Sequence, residues 1–308
     1  MVRFGPSGFC EEFSEKYKTT EEMPAWLEAH GLDAYEYAFN KGVRISDEKA
    51  VSIAKAFEGK NKQLSVHGPY YINLANPDDE MAFKSKMYII DSLTKMRLLG
   101  AKYLVYHPGS LMKSTREEAF NLVMKRTKEL IGMLDEYGFH DMYICPETMG
   151  KHGQVGTVEE VAQMCALDER IIPTLDFGHI NAFTLGGLKT EQDFENVFMT
   201  LKKYMGERYK KVHIHFSKIE YGAKGEIRHL KFDEDEKNYG PDFELLAKVL
   251  KKLDIDATVI CESRGSQTKD AVKMKEIFYK NNWFDCFVVL YLNSKLNFGG
   301  KYDNCWWT

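Results

Sequence analysis

The segments QLSVH at residues 63–67 and KYLVYH at residues 102–107 decide the fold. Each is a short apolar run that ends in a histidine, and residues 78–99 between them have the pattern of a long helix that stops at Gly100. Strand-length apolar runs that alternate with helices are typical of parallel sheets whose strands are joined by helical crossovers. This stretch therefore predicts a strand–helix–strand unit with a histidine at the carboxyl end of each strand.

The same unit repeats along the chain in both directions. We predict strands at residues 2–5, 34–39, 63–67, 102–107, 142–147, 171–176, 210–216 and 257–262. We predict helices at residues 20–30, 46–58, 78–99, 114–137, 157–166, 190–204, 242–253 and 268–279. Ser46 is expected to cap its helix, and Ser114 with Glu117 to form a capping box. Eight successive βα units close a barrel, whereas five or six would favour an open sheet, so the predicted fold class is α/β, a single (β/α)8 TIM barrel.

The chain of 308 residues divides into this barrel and a C-terminal tail. We expect the barrel domain over residues 1–282 and the tail over residues 283–308, where Asn, Phe, Tyr and Trp are frequent. The tail is either an extension packed on the bottom of the barrel, a non-native readthrough sequence, or a segment for partner binding or self-association. Its role stays open from the sequence.

Composition limits the classes of partner. The formal net charge of −4 gives no overall attraction to nucleic acid, so binding to DNA would require a local basic face or bound cations. The six cysteines form no C-x-x-C pair, which indicates reduced thiols rather than a disulfide framework. The start MVRFGPSGF lacks the apolar core of a signal peptide, and no apolar run reaches membrane-spanning length. We therefore expect a cytoplasmic monomer with no membrane association.

Residues able to bind metals stand at the ends of the predicted strands. Side chains at the carboxyl ends of barrel strands converge on one active face. Imidazoles and carboxylates on that face favour zinc, with manganese or iron as alternatives, and two or three ions sharing a carboxylate can promote hydrolysis. We interpret His215, which is on the same strand as His213, as facing away from the site. The candidate ligands are His67, His107, Glu147, Asp176, His213 and Glu262, with His179 and His229 nearby.

Six segments between residues 67 and 263 carry a more specific signal. They are HGPYYINLANP, YHPGS, PETMG, LDFGH, HIHFSK and CES, in that order along the chain. This series resembles the metal-binding motifs of the endonuclease IV family, whose members are zinc-dependent apurinic/apyrimidinic endonucleases. The resemblance covers about residues 1–280. It implies a TIM barrel that hydrolyses the phosphodiester 5′ to an abasic site in duplex DNA.

The resemblance also implies a role for each candidate residue. The first zinc would be held by His67, His107 and Glu147, the second by Glu147, Asp176, His213 and Glu262, and the third by His179 and His229. Either Glu147 or Glu262 would assist proton transfer as the catalytic carboxylate. Tyr70 would lie near the damaged DNA, where the abasic nucleotide is flipped out of the duplex. Lys218, which follows the seventh predicted strand, is a separate candidate for contact with phosphate.

The chain departs from the family pattern at one residue. The family has an Asp-Arg-His run at its third zinc site, and this chain has Ile227, Arg228 and His229 there, preceded by Glu226. Either Glu226 replaces the missing aspartate and three zincs bind, or the site holds two zincs. Activity at abasic sites depends on which alternative is correct.

Two other functions remain open. Glu147, Asp176, His213 and Glu262 by themselves resemble the one- or two-metal site of xylose-isomerase-like sugar isomerases and epimerases. Such an enzyme does not need His67, His107, His179 or His229, which is why we favour the nuclease. The third alternative is a DNA- or ligand-binding barrel that holds its metals for structural reasons alone.

Overall fold

Eight parallel strands form a closed barrel in the computed structural model, which describes residues 1–234 and 237–280. Strands β1–β8 are, in chain order, Val2–Pro6, Ala34–Ala38, Gln63–His67, Tyr103–Tyr106, Tyr143–Pro146, Thr174–Asp176, Lys211–Phe216 and Asp256–Cys261. Hydrogen-bonded ladders join β1, β8, β7 and β6 in one sheet and β2, β3, β4 and β5 in the other. The bridges Ser7–Glu36 and Glu147–Thr174 close the two seams between these sheets. The predicted (β/α)8 barrel is confirmed.

Helices surround the barrel and follow the predicted pattern. Thr115 caps one helix and forms a capping box with Glu118, so the predicted box at Ser114 and Glu117 was wrong by one residue. Ser46 accepts a hydrogen bond from the backbone of Lys49, as predicted for an N-cap. The helices span Glu11–Lys16, Met23–Ala29, Asp47–Phe57, Asp79–Leu99, Arg116–Glu136, Val158–Cys165, Phe177–Phe183, Glu191–Met205 and Phe243–Lys252, with 3-10 turns at Thr20–Glu22 and Gly206–Lys210. A last helix occupies residues 267–280.

The elements that the sequence did not predict lie mainly over the active face. A short helix, Phe177–Phe183, directly follows β6, and an antiparallel hairpin of strands Lys218–Gly222 and Gly225–Leu230 follows β7. A two-residue strand pair, Gly109–Ser110 with Gln154–Val155, joins two further loops. The segment between the predicted strand at residues 210–216 and the predicted helix at residues 242–253 is therefore partly a β-hairpin.

Aliphatic and aromatic side chains fill the space between strands and helices, as Phe4, Leu104 and Phe194 illustrate by being fully buried. The barrel interior is different, because it also encloses the polar side chains of Glu36, His213 and His215. In the described part of the chain, no helix is both long and apolar enough to cross a membrane. The tail expected at residues 283–308 lies outside the described residues.

Candidate metal centre

The candidate ligands meet in a cleft at the carboxyl ends of the barrel strands. The cleft has a volume of about 300 Å³. Its lining combines strand-end residues with residues from the loops and the hairpin: Ser7, Ala38, Asn40, His67, Gly68, Tyr70, His107, Met149, Lys151, Gln154, His179, Glu226, His229 and Glu262. Three groups of His and carboxylate side chains lie in and directly beneath this cleft, each with its potential ligand atoms within 4.8 Å of one another.

The first group consists of His67, His107 and Glu147, as predicted. Nε2 of His67 lies 3.2 Å from Oε2 of Glu147, and Nε2 of His107 lies 3.3 Å from the same oxygen. Nδ1 of His67 lies 2.9 Å from the carbonyl oxygen of Gly68, to which it can donate its proton. This bond leaves Nε2 as the nitrogen available to a ligand, which is the usual arrangement of a metal-binding histidine.

The second group consists of Glu147, Asp176, His215 and Glu262. The prediction had His213 in this position and His215 facing outward, and both assignments were wrong. Residues two apart on a strand share a face, so His213 and His215 both point into the barrel. His215 is nearer the carboxyl end of β7 and reaches Glu147 Oε1 at 3.2 Å. His213 lies one layer deeper, where its Nε2 is 2.9 Å from Glu36 Oε2.

The third group consists of His179, Glu226 and His229. The short helix after β6 supplies His179, whose Nε2 lies 3.5 Å from Glu226 Oε2. Residues three apart on a regular strand face opposite sides, but the hairpin register shifts so that Ile227 is an extra residue between Glu226 and Arg228. This β-bulge turns Glu226 and His229 to the same side, while Ile227 is 58% exposed. Glu226 therefore lies beside His179 and His229, as the alternative with three ions requires.

Close backbone contact holds the hairpin against the strand-end loop after β5. The backbone N–H of Glu226 donates to the carbonyl of Gly150 at 2.9 Å. Gly225 has φ 92°, and a Cβ there would lie 2.0 Å from that same carbonyl oxygen. A Cβ at Gly150 would lie 2.8 Å from Glu226 Cβ. The third group thus depends on two glycines that allow the hairpin to approach.

Burial and charge shift the pKa values of these groups in opposing directions. Burial lowers the pKa of His67, but its hydrogen bond to Glu147 and the charges of Glu147, Glu36 and Glu262 together outweigh burial and raise the pKa to about 9. Burial also lowers the pKa of His179, but the negative charge of Asp176 acts in the opposite direction, and the pKa is raised to about 10. Burial raises the pKa of Asp176, and the neighbouring carboxylates Glu147 and Glu262 add to that increase. A divalent cation bound here would replace the histidine protons as partner of the carboxylates.

The donor set fits transition-metal ions. Zinc binds His nitrogen and carboxylate oxygen at about 2.0–2.2 Å in tetrahedral geometry, which places its ligands about 3.3 Å apart. The separations of 3.2 and 3.3 Å around Glu147 Oε2 match that spacing. In addition, the buried oxygen Oδ2 of Asp176 has no hydrogen-bond partner among the described residues. Each group therefore has residue types and spacing that could hold an ion.

The two predicted substrate contacts occupy different positions. Tyr70 lines the cleft, is 52% exposed, and packs against Tyr71 with ring centroids 4.2 Å apart and ring planes tilted by 42°. A second groove of about 670 Å³ shares Ala38, Asn40 and Tyr70 with the cleft and continues past Lys41 and Arg44. Lys218 begins the hairpin and is not among the described residues that line either space, so its contact with phosphate stays a prediction.

Together, the closed barrel and the side-chain groups at its carboxyl face define a TIM-barrel protein with groups that could hold metal ions. The sequence model of the xylose isomerase-like TIM barrel family matches residues 24–279, and the chain belongs to that family.

The expected resemblance to endonuclease IV is confirmed by similar sequences. A probable endonuclease 4 of Buchnera aphidicola is 27% identical over 189 residues, which is 57% of this chain and 62% of the relative. A probable endonuclease 4 of Staphylococcus carnosus is 30% identical over 167 residues, or 52% of this chain and 54% of the relative. The match thus spans little more than half the length of these relatives. An uncharacterized protein of Methanocaldococcus jannaschii is 32% identical over 264 residues, 85% of this chain and 92% of the relative.

Solved structures with the same fold come from two functional classes. Endonuclease IV from Thermus thermophilus matches with a TM-score of 0.65 at 20% identity, over 91% of this chain and 99% of that chain. A D-tagatose 3-epimerase-like protein matches with a TM-score of 0.68 at 21% identity, over 93% and 99%. At these identities the similarity establishes the fold alone. The choice between the two activities depends on the site.

Proposed function

We propose that this protein is a metal-dependent phosphodiester hydrolase that cleaves DNA 5′ to abasic sites. The observation that carries the proposal is the set of three adjoining ligand groups, two of which share Glu147. A sugar epimerase needs only the second group, whereas His67, His107 and the third group are what a multinuclear phosphodiesterase requires. Bound divalent cations would supply a hydroxide nucleophile near neutral pH and neutralise charge on the phosphate.

The position of Glu147 suits a ligand shared between ions. Its Oε2 faces His67 and His107, whereas its Oε1 lies 3.2 Å from both His215 Nδ1 and His179 Nδ1. The side chain is only 1% exposed, so neither oxygen is open to solvent. We propose that Glu147 is a shared ligand that fixes the positions of the first two groups relative to each other. We do not assign it the exchange of protons with water.

Glu262 is better placed to accept a proton during hydrolysis. Its side chain is 18% exposed and lines the cleft. Burial alone would raise its pKa, but the charge and hydrogen bond of His215 outweigh burial and lower the pKa to about 2. The carboxylate is therefore ionised near neutral pH and can take the proton of an attacking water molecule.

The substrate proposed is duplex DNA that contains an abasic site. Lys41 and Arg44 line the groove that continues from the cleft, and their charges suit a phosphate backbone despite the acidic net charge of the chain. The exposed rings of Tyr70 and Tyr71 offer a surface on which bases can stack. Flipping a nucleotide that has lost its base costs little, because no base pair is broken.

Zinc is the proposed ion, at three per chain, because Glu226 completes the third group. Manganese remains the alternative for a site of this composition. The four described cysteines, Cys10, Cys145, Cys165 and Cys261, are free and buried, which fits the proposed cytoplasmic location. We further propose that the protein acts as a monomer.

Incision of an abasic duplex by the zinc-loaded protein tests the proposal. We expect nicking of an oligonucleotide duplex with a tetrahydrofuran abasic analogue, and no nicking of the same duplex without the lesion. Glu147→Gln should abolish the reaction, whereas Glu136→Gln, an exposed carboxylate at the end of an outer helix, should leave it unchanged. Failure of the metal-loaded protein to cut the lesion-containing strand would contradict the proposal.

The second candidate is a sugar epimerase, favoured by one specific observation. Glu147, Asp176, His215 and Glu262 form by themselves the acid/His set that such enzymes use. Epimerisation of a ketose by protein carrying a single ion, without incision of abasic DNA, would establish this alternative. Metal binding without either reaction would favour the third alternative, a binding protein that holds its metals for structural reasons.

A further inference from the structure

A buried carboxylate, Glu36 on β2, lies in the barrel interior directly beneath the metal-ligand groups. Its side chain is fully buried. Oε2 accepts hydrogen bonds from the hydroxyl of Ser65 and from Nε2 of His213, both at 2.9 Å. Oε1 faces His215, whose Nε2 lies 2.9 Å away. None of the roles assigned to the cleft requires Glu36, so its place in the barrel needs a separate explanation.

The ring of His215 stands between Glu36 and the second ligand group. Its Nδ1 faces Glu147 Oε1 at 3.2 Å and Glu262 Oε2 at 3.5 Å, whereas its Nε2 faces Glu36. Nε2 and Glu36 Oε1 lie 2.9 Å apart, and neither of these buried atoms has a hydrogen-bond partner among the described residues. For Nδ1 to bind a metal, the proton must be on Nε2, and Oε1 is the carboxylate oxygen beside it that could accept the hydrogen bond.

The partner of His215 differs in kind from the partners of His67 and His229. His67 directs its second nitrogen at the carbonyl of Gly68, and His229 directs Nδ1 at the hydroxyl of Ser217 at 2.7 Å. These partners are neutral oxygens. A carboxylate partner orients an imidazole and makes it a more basic ligand than a neutral oxygen does.

We propose that Glu36 is a positioning residue that fixes the tautomer and orientation of His215 as a ligand of the second group. This inference rests on the proposed metal centre. Loss of such a partner weakens metal binding by about 10–100-fold.

A rival interpretation is that Glu36, His213 and His215 hold an ion of their own. The contacts favour the positioning role. Oε2 already accepts two hydrogen bonds, and His213 is engaged in one of them. If Nδ1 of His215 binds the ion of the second group, Nε2 can bind another ion only after it has lost its proton. His215 would then be an imidazolate anion that bridges two ions. The two interpretations make opposite predictions for His213.

Metal affinity of Glu36→Gln and His213→Gln separates these interpretations. Cobalt(II) would be titrated into metal-free full-length protein, with its visible absorption and a competing chelator as readouts, and no DNA present. For Glu36→Gln we expect one ion to bind about 10–100-fold more weakly, with the remaining ions and the circular dichroism spectrum unchanged. For His213→Gln, which keeps a donor toward Glu36, we expect wild-type affinity. Unchanged affinity in Glu36→Gln, or equal loss of an ion in both variants, would overturn the proposal.

A second measurement uses the wild-type protein and does not depend on the folding of a variant. In the zinc-loaded protein, imidazole ¹⁵N–¹H correlation spectra should show His215 as the Nε2–H tautomer with a slowly exchanging proton. Metal bound through Nε2 would refute the assignment. Because both experiments measure metal binding alone, a protein that passes them and fails to incise abasic DNA would refute the proposed activity while leaving the role of Glu36 intact.

Discussion

Substitution of Gly150 by alanine should remove the third ion and leave the other two. The added Cβ would lie 2.8 Å from Glu226 Cβ and 3.0 Å from His179 Cδ2. Carbon atoms normally pack at about 3.5–4.0 Å, so the hairpin or the helix must retreat by roughly 0.5–1 Å. Metal–ligand distances tolerate only about 0.2 Å. Crowding of this kind costs about 1–3 kcal/mol of folding free energy, which the protein should survive.

Elemental analysis after dialysis, combined with thermal unfolding, measures both effects. We expect Gly150→Ala to hold one zinc fewer than the wild type, with Tm lowered by about 2–4 °C for each kcal/mol lost. Gly153→Ala is the matched control in the same loop, since a Cβ there would meet nothing within 4 Å. Gly153→Ala should keep the full metal content. Full metal content in Gly150→Ala, at wild-type affinity, would refute the placement of the third group.

Three further results are expected. Glu226→Gln should lose the third zinc, because it removes the only carboxylate of that group. Ile227→Asp should leave the zinc content unchanged, because the Ile227 side chain points to solvent. A zinc gained by Ile227→Asp would show that the bulge is misplaced. The raised pKa values of His67 and His179, about 9 and about 10, mean that both are protonated near neutral pH in metal-free protein. Metal binding should therefore release protons and weaken as pH falls, which calorimetry in buffers of different ionisation enthalpy detects; binding without proton release would contradict those shifts. Tyr70→Ala should raise KM for abasic DNA by about 5–150-fold, from a stacking contribution of about 1–3 kcal/mol, with metal content unchanged; an unaltered KM would exclude the ring from the DNA contact.

Most of the barrel could be predicted from the sequence, because its strands are apolar runs with polar ends and its helices carry capping residues. The same regularity located His67, His107 and Glu147, which were predicted as one group and lie together. The assignment of His213 failed for a simple geometric reason. Residues two apart on a strand share a face, so the H-I-H pattern places both histidines inside the barrel, and the one nearer the carboxyl end reaches the cleft.

The third group could not be predicted with the same certainty, because its geometry depends on a hairpin whose strands are short and polar. The strands Lys218–Gly222 and Gly225–Leu230 have only five and six residues, and few of these are apolar. Only the bulge at Ile227, which is a property of the backbone register, turns Glu226 toward His179. Glu36 was missed because it lies in the middle of an apolar strand rather than at its end. A carboxylate in such a strand is itself a signal, since a buried charge requires partners.

The number of zinc ions per chain, measured together with incision of an abasic duplex, is the decisive test of the proposed metal centre and its activity. We predict about three zincs per purified chain, incision at the lesion, and loss of incision in Glu147→Gln, whose carboxylate the first two groups share. One ion per chain, epimerisation of a ketose, and an intact abasic strand would contradict it.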